Sequence, residues 1–290
     1  MGERVPATQV APAISARVQR RRRGFVRTYL TPKQAIPRPA RVALGIGSFV
    51  VIFAVWQVAS MVIYDPQHLF APSPLRVWNA WVDAIQYRHF LDDIAWSAFR
   101  IITGFLLAAV LAVPLGLLMG SFEVVRAFFQ PPVNFIRYMP ASAFIPLLLL
   151  LVGIDEREKL AIIWIGVFFQ LVLMVMDIAQ RVPEEMLNVA YTLGSSRWKV
   201  FHKVFLPATF PEVLDALRIT MGWAWTYLIV AEIVAAERGI GSFILISERF
   251  LRSDRIIAAI VTIGLLGLVT DYVLMAVHRV SFPYVEKVHA

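Results

Sequence analysis

The 290-residue sequence contains no cysteine, which removes disulfides, thiolate metal sites and cysteine nucleophiles together and leaves the redox compartment unmarked. Its five histidines are scattered, with no pair at ligand spacing on one helical face, so no metal centre is encoded by them. A glycine-rich phosphate loop is missing as well, and any ATP the function consumes must be bound by another chain. Charged residues make up 17% of the chain, against roughly 25% in soluble domains. What fills the space is apolar: 59% of residues are hydrophobic, well above the roughly 45–50% of soluble domains. These numbers describe an integral membrane protein.

The net charge of +8 is concentrated at the amino end, where Arg4, Arg17, Arg20, Arg21, Arg22, Arg23, Arg27, Lys33, Arg38 and Arg41 hold ten of the 28 basic residues. A basic arm beside a membrane span is explained by the positive-inside rule and by anionic headgroups rather than by nucleic acid. A signal peptide is the competing reading, but residues 42–63 are long enough to cross the hydrocarbon core and no small-residue cleavage site follows. Residues 1–41 are therefore expected to form a cytoplasmic arm, with a short interfacial helix near Phe25 to Leu30. Six spans are predicted, at 42–63, 94–118, 133–152, 160–178, 213–235 and 256–278, which return the carboxyl end to the cytoplasm. The basic residues Arg238, Arg249, Arg252 and Arg255 in the loop 236–255 work against this orientation; the charge of the arm decides it.

Between the fourth and fifth spans lies a polar loop. Pro183, Glu184 and Glu185 suit a helix start, and Met186, Val189, Ala190 and Leu193 give that helix an apolar face. Gly194 suits a left-handed C-terminal cap. Ser195 or Ser196 can then cap a second, short helix with the stripe Trp198, Phe201, Val204 and Phe205, and Pro207 favours a stop. A bent helical pair presented on the polar side of a membrane suits the groove of a soluble partner.

This stretch, Asn188-Val-Ala-Tyr-Thr-Leu-Gly194 followed by Val204-Phe-Leu-Pro207, resembles the "EAA" loop of permease subunits of bacterial ATP-binding-cassette importers. The consensus there is Glu-Ala-Ala, three residues, Gly, nine residues, Ile-x-Leu-Pro. Spacing matches throughout, although Asn188, Val189 and Val204 replace the Glu, the first Ala and the Ile. Ser97-x-x-Arg100-x-x-x-Gly104-Phe105 resembles the opening of the same permease domain. Ala216-Leu-Arg218-Ile, the following Trp223 and Trp225, Ala231-Glu232, Asn134-Phe-Ile-Arg137-Tyr-Met-Pro140 and Thr270-Asp271-Tyr272 resemble its nitrate, sulfonate, taurine and bicarbonate branch. The resemblance implies an all-α membrane protein, a six-helix transmembrane bundle of the type I ABC-importer permease kind with a cytoplasmic coupling helix. It divides the chain into the arm 1–41, the first transmembrane helix and external loop 42–93, the permease domain 94–280 with its coupling loop 183–207, and a cytoplasmic tail 281–290. It also implies a second permease subunit, as a second copy in a homodimer or as the partner in a heterodimer, two cytoplasmic ABC ATPase subunits that bind ATP and Mg, and an extracytoplasmic solute-binding protein. No cofactor is expected on this chain, and the membrane is the bacterial inner membrane. The expected ATPase-coupling residues are Ala190, Gly194, Ser195, Arg197, Trp198, Phe201, Phe205, Leu206 and Pro207.

Candidate residues for a translocation path come from the spans. Pro140 and Pro146 interrupt the third span and Arg137 sits near its start; proline-broken helices at membrane depth line cavities or are tolerated kinks. Arg218 and Glu232, 14 residues and about 21 Å apart on one helix, cannot pair with each other and should point into protein or water. Arg218 is either a structural pair or part of an anion path. Glu232 is expected to make an interhelical hydrogen bond. Trp223, Trp225 and Thr226 offer polar donors to a passing solute, or simple packing. Arg100 is expected to snorkel to the external interface, and Gly116-x-x-x-Gly120 to pack against a neighbouring helix. Ser242 to Leu251 reads as an amphipathic helix with Phe243, Ile246, Phe250 and Leu251 on its apolar side. With the loop 65–93, which holds Pro66, Pro72, Pro74, Trp78 and Trp81, it is a candidate surface for the solute-binding protein. A gradient-driven secondary transporter would show inverted repeats and ionisable relays; no convincing repeat is present. A membrane enzyme would need clustered catalytic groups, whereas Asp177, Glu232 and Asp271 lie on separate spans.

Overall fold

The computed structural model describes residues 37–63, 71–87 and 89–283; the arm before Pro37, Pro66 and the last residues of the tail lie outside them. The chain divides into two units, Met1–Val58 and Ala59–Ala290. All described secondary structure is helical. The first unit contributes most of α1 (Arg38–Val62), whose apolar side chains are exposed along its length.

In the second unit, α2 (Pro74–Tyr87) precedes α3 (Phe90–Ser121), α4 (Glu123–Arg137), a single 3-10 turn at Ala141–Phe144, α5 (Ile145–Val152) and α6 (Glu156–Gln180). The elbow helices α7 (Glu184–Thr192) and α8 (Arg197–Val200) follow, then α9 (Leu206–Ala235), α10 (Ile240–Arg249) and α11 (Ser253–Ser281). Among the described residues five helices are long and apolar enough to cross a bilayer, or six spans if α4 and the 3-10/α5 segment count as one. The proline-interrupted third span is not one kinked helix over 133–152. Instead α4 begins ten residues earlier and meets the 3-10/α5 segment at 85°. Pro140 takes an extended ψ of 126°, Met139 before it is biased away from the helical region, and Pro146 falls in the first turn of α5, where its missing N–H costs nothing.

The centre of the bundle is the contact of α3 with α6, with α9 packed on α6. Gly104, Ala108, Ala112, Gly116 and Gly120 recur every four residues along α3, so the small-residue stripe is longer than the Gly116/Gly120 pair. Between membrane helices no hydrophobic force distinguishes protein from lipid, so close approach of backbones supplies the packing energy. A Cβ on Gly116 would lie 2.6 Å from the Val172 carbonyl oxygen, and one on Gly120 2.8 Å from that of Met176 while colliding with Ala179. The buried residues Ile163, Val167, Leu171 and Val175 of α6 then fill the core with Val213, Ala216, Ala224 and Leu228 of α9.

At the end of the bundle away from the elbow, Arg100 is 2% exposed and does not snorkel. Its fork donates Nε to Glu156 Oε2 at 2.6 Å and Nη2 to Oε1 at 2.7 Å, and Nη1 reaches Glu232 Oε1 at 2.7 Å and the Arg238 carbonyl at 2.5 Å. Glu232, fully buried, also accepts from Ser97 Oγ at 2.8 Å and from the Gly241 amide at 2.8 Å. The Gly239 amide donates to Asp93 at 2.8 Å and the Ile240 amide to Ser97 Oγ at 2.9 Å. Gly239, at φ 120° and packed on the Arg100 and Glu232 side chains, has no room for a Cβ. One guanidinium thus ties together α3, the start of α6, the end of α9 and the turn into α10. Burial is expensive for a charge, and fully buried Glu232 meets that cost with an opposite charge and several hydrogen bonds.

Two further expectations are corrected by this packing. On α10, Phe243 faces the core beside Phe90, with ring centroids 4.5 Å apart, but Ile246, Phe250 and Leu251 are exposed, and Ile240, Gly241 and Ser247 take the inner face instead. The loop 65–93 is partly the helix α2, whose Trp81 Nε1 donates to Thr262 Oγ1 of α11 at 3.0 Å, while Trp78 is exposed.

Gly120→Leu should overpack the α3–α6 contact and destabilise the chain by about 1–3 kcal/mol, read as a lower unfolding temperature in detergent; Gly264→Ala, with nothing within 4 Å, should change it little. Arg100→Ala strands buried Glu232 and should cost about 3–5 kcal/mol. The double variant Arg100→Met/Glu232→Met should recover part of that loss in the same melt.

Candidate functional site

The elbow is built by local rules. Glu184 and Glu185 occupy the first turn of α7, where carboxylates meet the positive helix end. At its other end the Ser195 amide donates to the Ala190 carbonyl at 3.1 Å and the Gly194 amide to that of Tyr191 at 2.9 Å, with Gly194 at φ 77°. This is a Schellman cap, and it satisfies carbonyls the helix end leaves free. Ser196, not Ser195, is the N-cap of α8, its Oγ accepting the Lys199 amide at 3.4 Å. No stop occurs at Pro207. Phe201–Phe205 forms a π turn in which the Leu206 amide reaches back to the Phe201 carbonyl, and this widened turn accommodates the proline, so that Arg197–Val234 is one 38-residue helix running from the elbow into the bundle.

The stripe expected on α8 splits in two. Trp198 is 71% exposed, whereas Phe201 stacks on buried Phe205 at 5.4 Å and lies 6.3 Å from Phe122 at the end of α3. Phe205 and Phe201 therefore anchor the elbow to the bundle. The outward apolar surface is Met186, Val189 and Leu193 of α7 together with Trp198; Leu193 is 80% exposed. Arg197 and Pro207 are exposed, and Ala190, Ser195 and Leu206 are half-buried. A groove of about 550 Å³ runs beneath, lined among others by Phe122, Glu123, Arg126, Tyr191, Arg197 and Phe201.

The path candidates separate equally clearly. Arg137 and Trp223 line one cleft of about 270 Å³ with Met139, Ala141, Gly166, Gln170 and Tyr227. It opens at the break between α4 and the 3-10 turn, next to exposed Pro140, and faces the middle of α6 and α9. Trp225 is turned away: it is buried, and its Nε1 donates to Thr270 Oγ1 at 3.3 Å. Thr226 is exposed but does not line the cleft. Arg218 makes a two-point ion pair with Asp271 of α11, through Nε to Oδ1 and through Nη2 to Oδ2 at 2.8 Å, so Asp271 is not isolated. Both members remain about one third exposed, at 34% and 35%. Gln170 and Tyr227 were not singled out from the sequence. Gln170 is a lone amide in an apolar span, and Tyr227 follows Trp223 by four residues on one face of α9, its ring resting on Gly166.

Among the described residues no group of three or more His, Asp or Glu is placed to hold a metal ion. The architecture matches solved transporters: the chain aligns with the inward-facing MetNI methionine ABC transporter at a TM-score of 0.55 and 17% identity, over 67% of this chain and 99% of that one. An amino acid ABC transporter crystallised with histidines aligns at 0.54 and 15%, over 69% and 96%. In sequence the chain is 30% identical to the taurine transport system permease protein TauC of Escherichia coli over 254 residues, 86% of this chain and 92% of that protein. It is 27% identical to the nitrate import permease protein NrtB of Synechocystis over 261 residues, 87% of this chain and 92% of that one. Residues 112–283 match the family described as the binding-protein-dependent transport system inner membrane component, a stretch that includes the break, the elbow and the Arg218–Asp271 pair. The chain belongs to that family and is a multi-pass permease component of a binding-protein-dependent ABC importer, not itself the ATPase.

Proposed function

We propose that this permease carries a small oxyanion of the nitrate, sulfonate/taurine or bicarbonate class, delivered by a solute-binding protein outside the cell. It works as a homodimer on two cytoplasmic ATPases that bind ATP and Mg, with both of its termini in the cytoplasm. The observation that carries the coupling role is the elbow. Met186, Val189, Leu193 and Trp198 are exposed apolar groups on polar-side helices, and the helix bearing Trp198 continues without interruption into α9. Exposed apolar surface of that kind seeks a partner, and a partner that moves it moves the wall of the cleft. Differential contact with the two nucleotide states of the ATPase is what lets ATP shift the permease between conformations. Support for the anion class comes from the names of the relatives, which include taurine, aliphatic sulfonate and nitrate permeases. The reading is tested in proteoliposomes with the ATPase and binding protein, by ATP-dependent uptake of labelled taurine, nitrate or bicarbonate. Uptake that persists with a catalytically dead ATPase would point to a gradient-driven carrier instead.

Trp198→Asp is expected to lower co-purification of the ATPase at least tenfold while the permease still inserts and melts normally. Gly194→Leu, forced into a left-handed conformation, should do the same by misdirecting α8. Phe201→Asp should instead lower the unfolding temperature, because its ring packs inward. For the Arg218–Asp271 pair, Arg218→Ala should depress uptake, and the charge swap Arg218→Asp/Asp271→Arg should restore at least half of it if the pair is a clasp between α9 and α11. A swap as inactive as the single variant would assign Arg218 to the anion itself.

A further inference from the structure

Most arginines set in the bundle have their charge answered. Arg100 is held by Glu156 and Glu232, Arg126 by Glu123, Arg218 by Asp271 and Arg255 by Asp83. Arg137 differs. Among the described residues its guanidinium meets no carboxylate; it lies 4.8 Å over the ring of Tyr138, and Nη2 donates to the Tyr138 hydroxyl at 3.0 Å. The Tyr138 ring orients the guanidinium without cancelling its charge. Arg137 is exposed at the end of α4, and the cleft it lines reaches mid-span: its other walls are Gly166 and Gln170, near the middle of the 25-residue α6, and Trp223 and Tyr227, well inside α9. A cation there is costly in hydrocarbon and persists where it faces water or an anion.

From this we infer that the cleft at the α4/α5 break is a binding site of the permease itself, a dwell site for one small oxyanion on its way through the membrane. This rests on the permease reading above and adds a location and a chemistry to it. Arg137 supplies the charge and a planar pair of donors that suits nitrate, carboxylate or sulfonate oxygens. Gln170, Trp223 and Tyr227 line the same space and carry neutral donor groups, and Met139 and Ala141 line it beside them. About 270 Å³ admits an ion of this size. One cation with neutral donors and no carboxylate among the described lining residues favours a singly charged anion and holds it loosely enough to leave. The break itself is functional in this view. It ends α4 at Arg137 and turns the chain aside by 85°, which opens the space in front of the guanidinium.

The natural absence of cysteine permits a test that does not require the transported solute to be known. Met139, 41% exposed and lining the cleft, is replaced by cysteine in the full-length chain in proteoliposomes. Its rates of modification by sulfonatoethyl and trimethylammonioethyl methanethiosulfonate are compared, each normalised to a free thiol. The expected ratio favours the anionic reagent about tenfold, a size consistent with one nearby uncompensated charge in a partly wet site. Adding Arg137→Gln should bring the ratio close to one, and methanesulfonate or nitrate at millimolar concentration should slow the anionic reagent in the Arg137 background. A ratio near one with Arg137 present, a preference unchanged by Arg137→Gln, or a cysteine that neither reagent reaches would each overturn the site. ATP-dependent uptake by the unsubstituted chain is scored separately, so an active importer lacking the charge preference sinks the dwell site alone, whereas loss of ATP dependence sinks the permease coupling beneath it.

Discussion

The second unit of this protein depends on a single guanidinium at the end of the bundle farthest from the elbow. Arg100 joins four segments that the chain visits far apart in sequence, and its bond to Glu232 is made where water is excluded, so that bond is strengthened and its failure is costly. Of the two carboxylates it holds, Glu232 is fully buried and depends on it, while Glu156 keeps one side toward solvent. Glu232 in turn accepts the Gly241 amide at the turn into α10, and the Gly239 approach is packed against its carboxylate, so that the last buried turn of α9 and the tight turn belong to one ion cluster.

The remainder of the bundle is held by a different force. Along α3, a residue without a side chain or with a single methyl recurs at each turn, and α6 lies in the resulting groove at backbone distance. Such packing is stiff, because neither helix can rotate without driving side chains into carbonyls. The mobile part of the design is therefore sought elsewhere, in the segments joined to this pair by a break, an elbow or an exposed ion pair. The 85° break, the α7–α8 elbow and the Arg218–Asp271 contact are all of that kind.

Much of this was legible in the residues, and the places where reading failed share a cause. Helix periodicity, the glycine bend, the serine cap and the small-residue pair are local signals and carried through. Pro207 misled because its local rule, a helix stop, is overridden when a widened turn absorbs the ring, and nothing in the immediate sequence announces a π turn. Arg100 misled in another way. Its nearness to a helix end argues for snorkelling unless the partners are known, and those partners lie 56 and 132 residues away. The apolar side of α10 follows residue type in the sequence, yet the inner face takes Ile240, Gly241 and Ser247 beside Phe243, with Gly241 close against Glu232 where a side chain would not fit. Gln170 and Tyr227 escaped because a lone polar residue in an apolar span has no meaning until its neighbours across the cleft are seen.

The uninterrupted helix from Arg197 to Val234 turns these features into a lever with a fixed fulcrum. Glu232 is clamped at one end, and Trp198 is offered to a partner at the other, about 51 Å away at 1.5 Å per residue. Trp223 lies only about 14 Å from the fulcrum. If the rod turns about its clamped end, the wall of the cleft moves roughly a quarter as far as the elbow, and with correspondingly greater force. On that geometry a stroke at the elbow would be geared down to a displacement on the scale of a hydrogen bond at the cleft, enough to tighten or release a small ion.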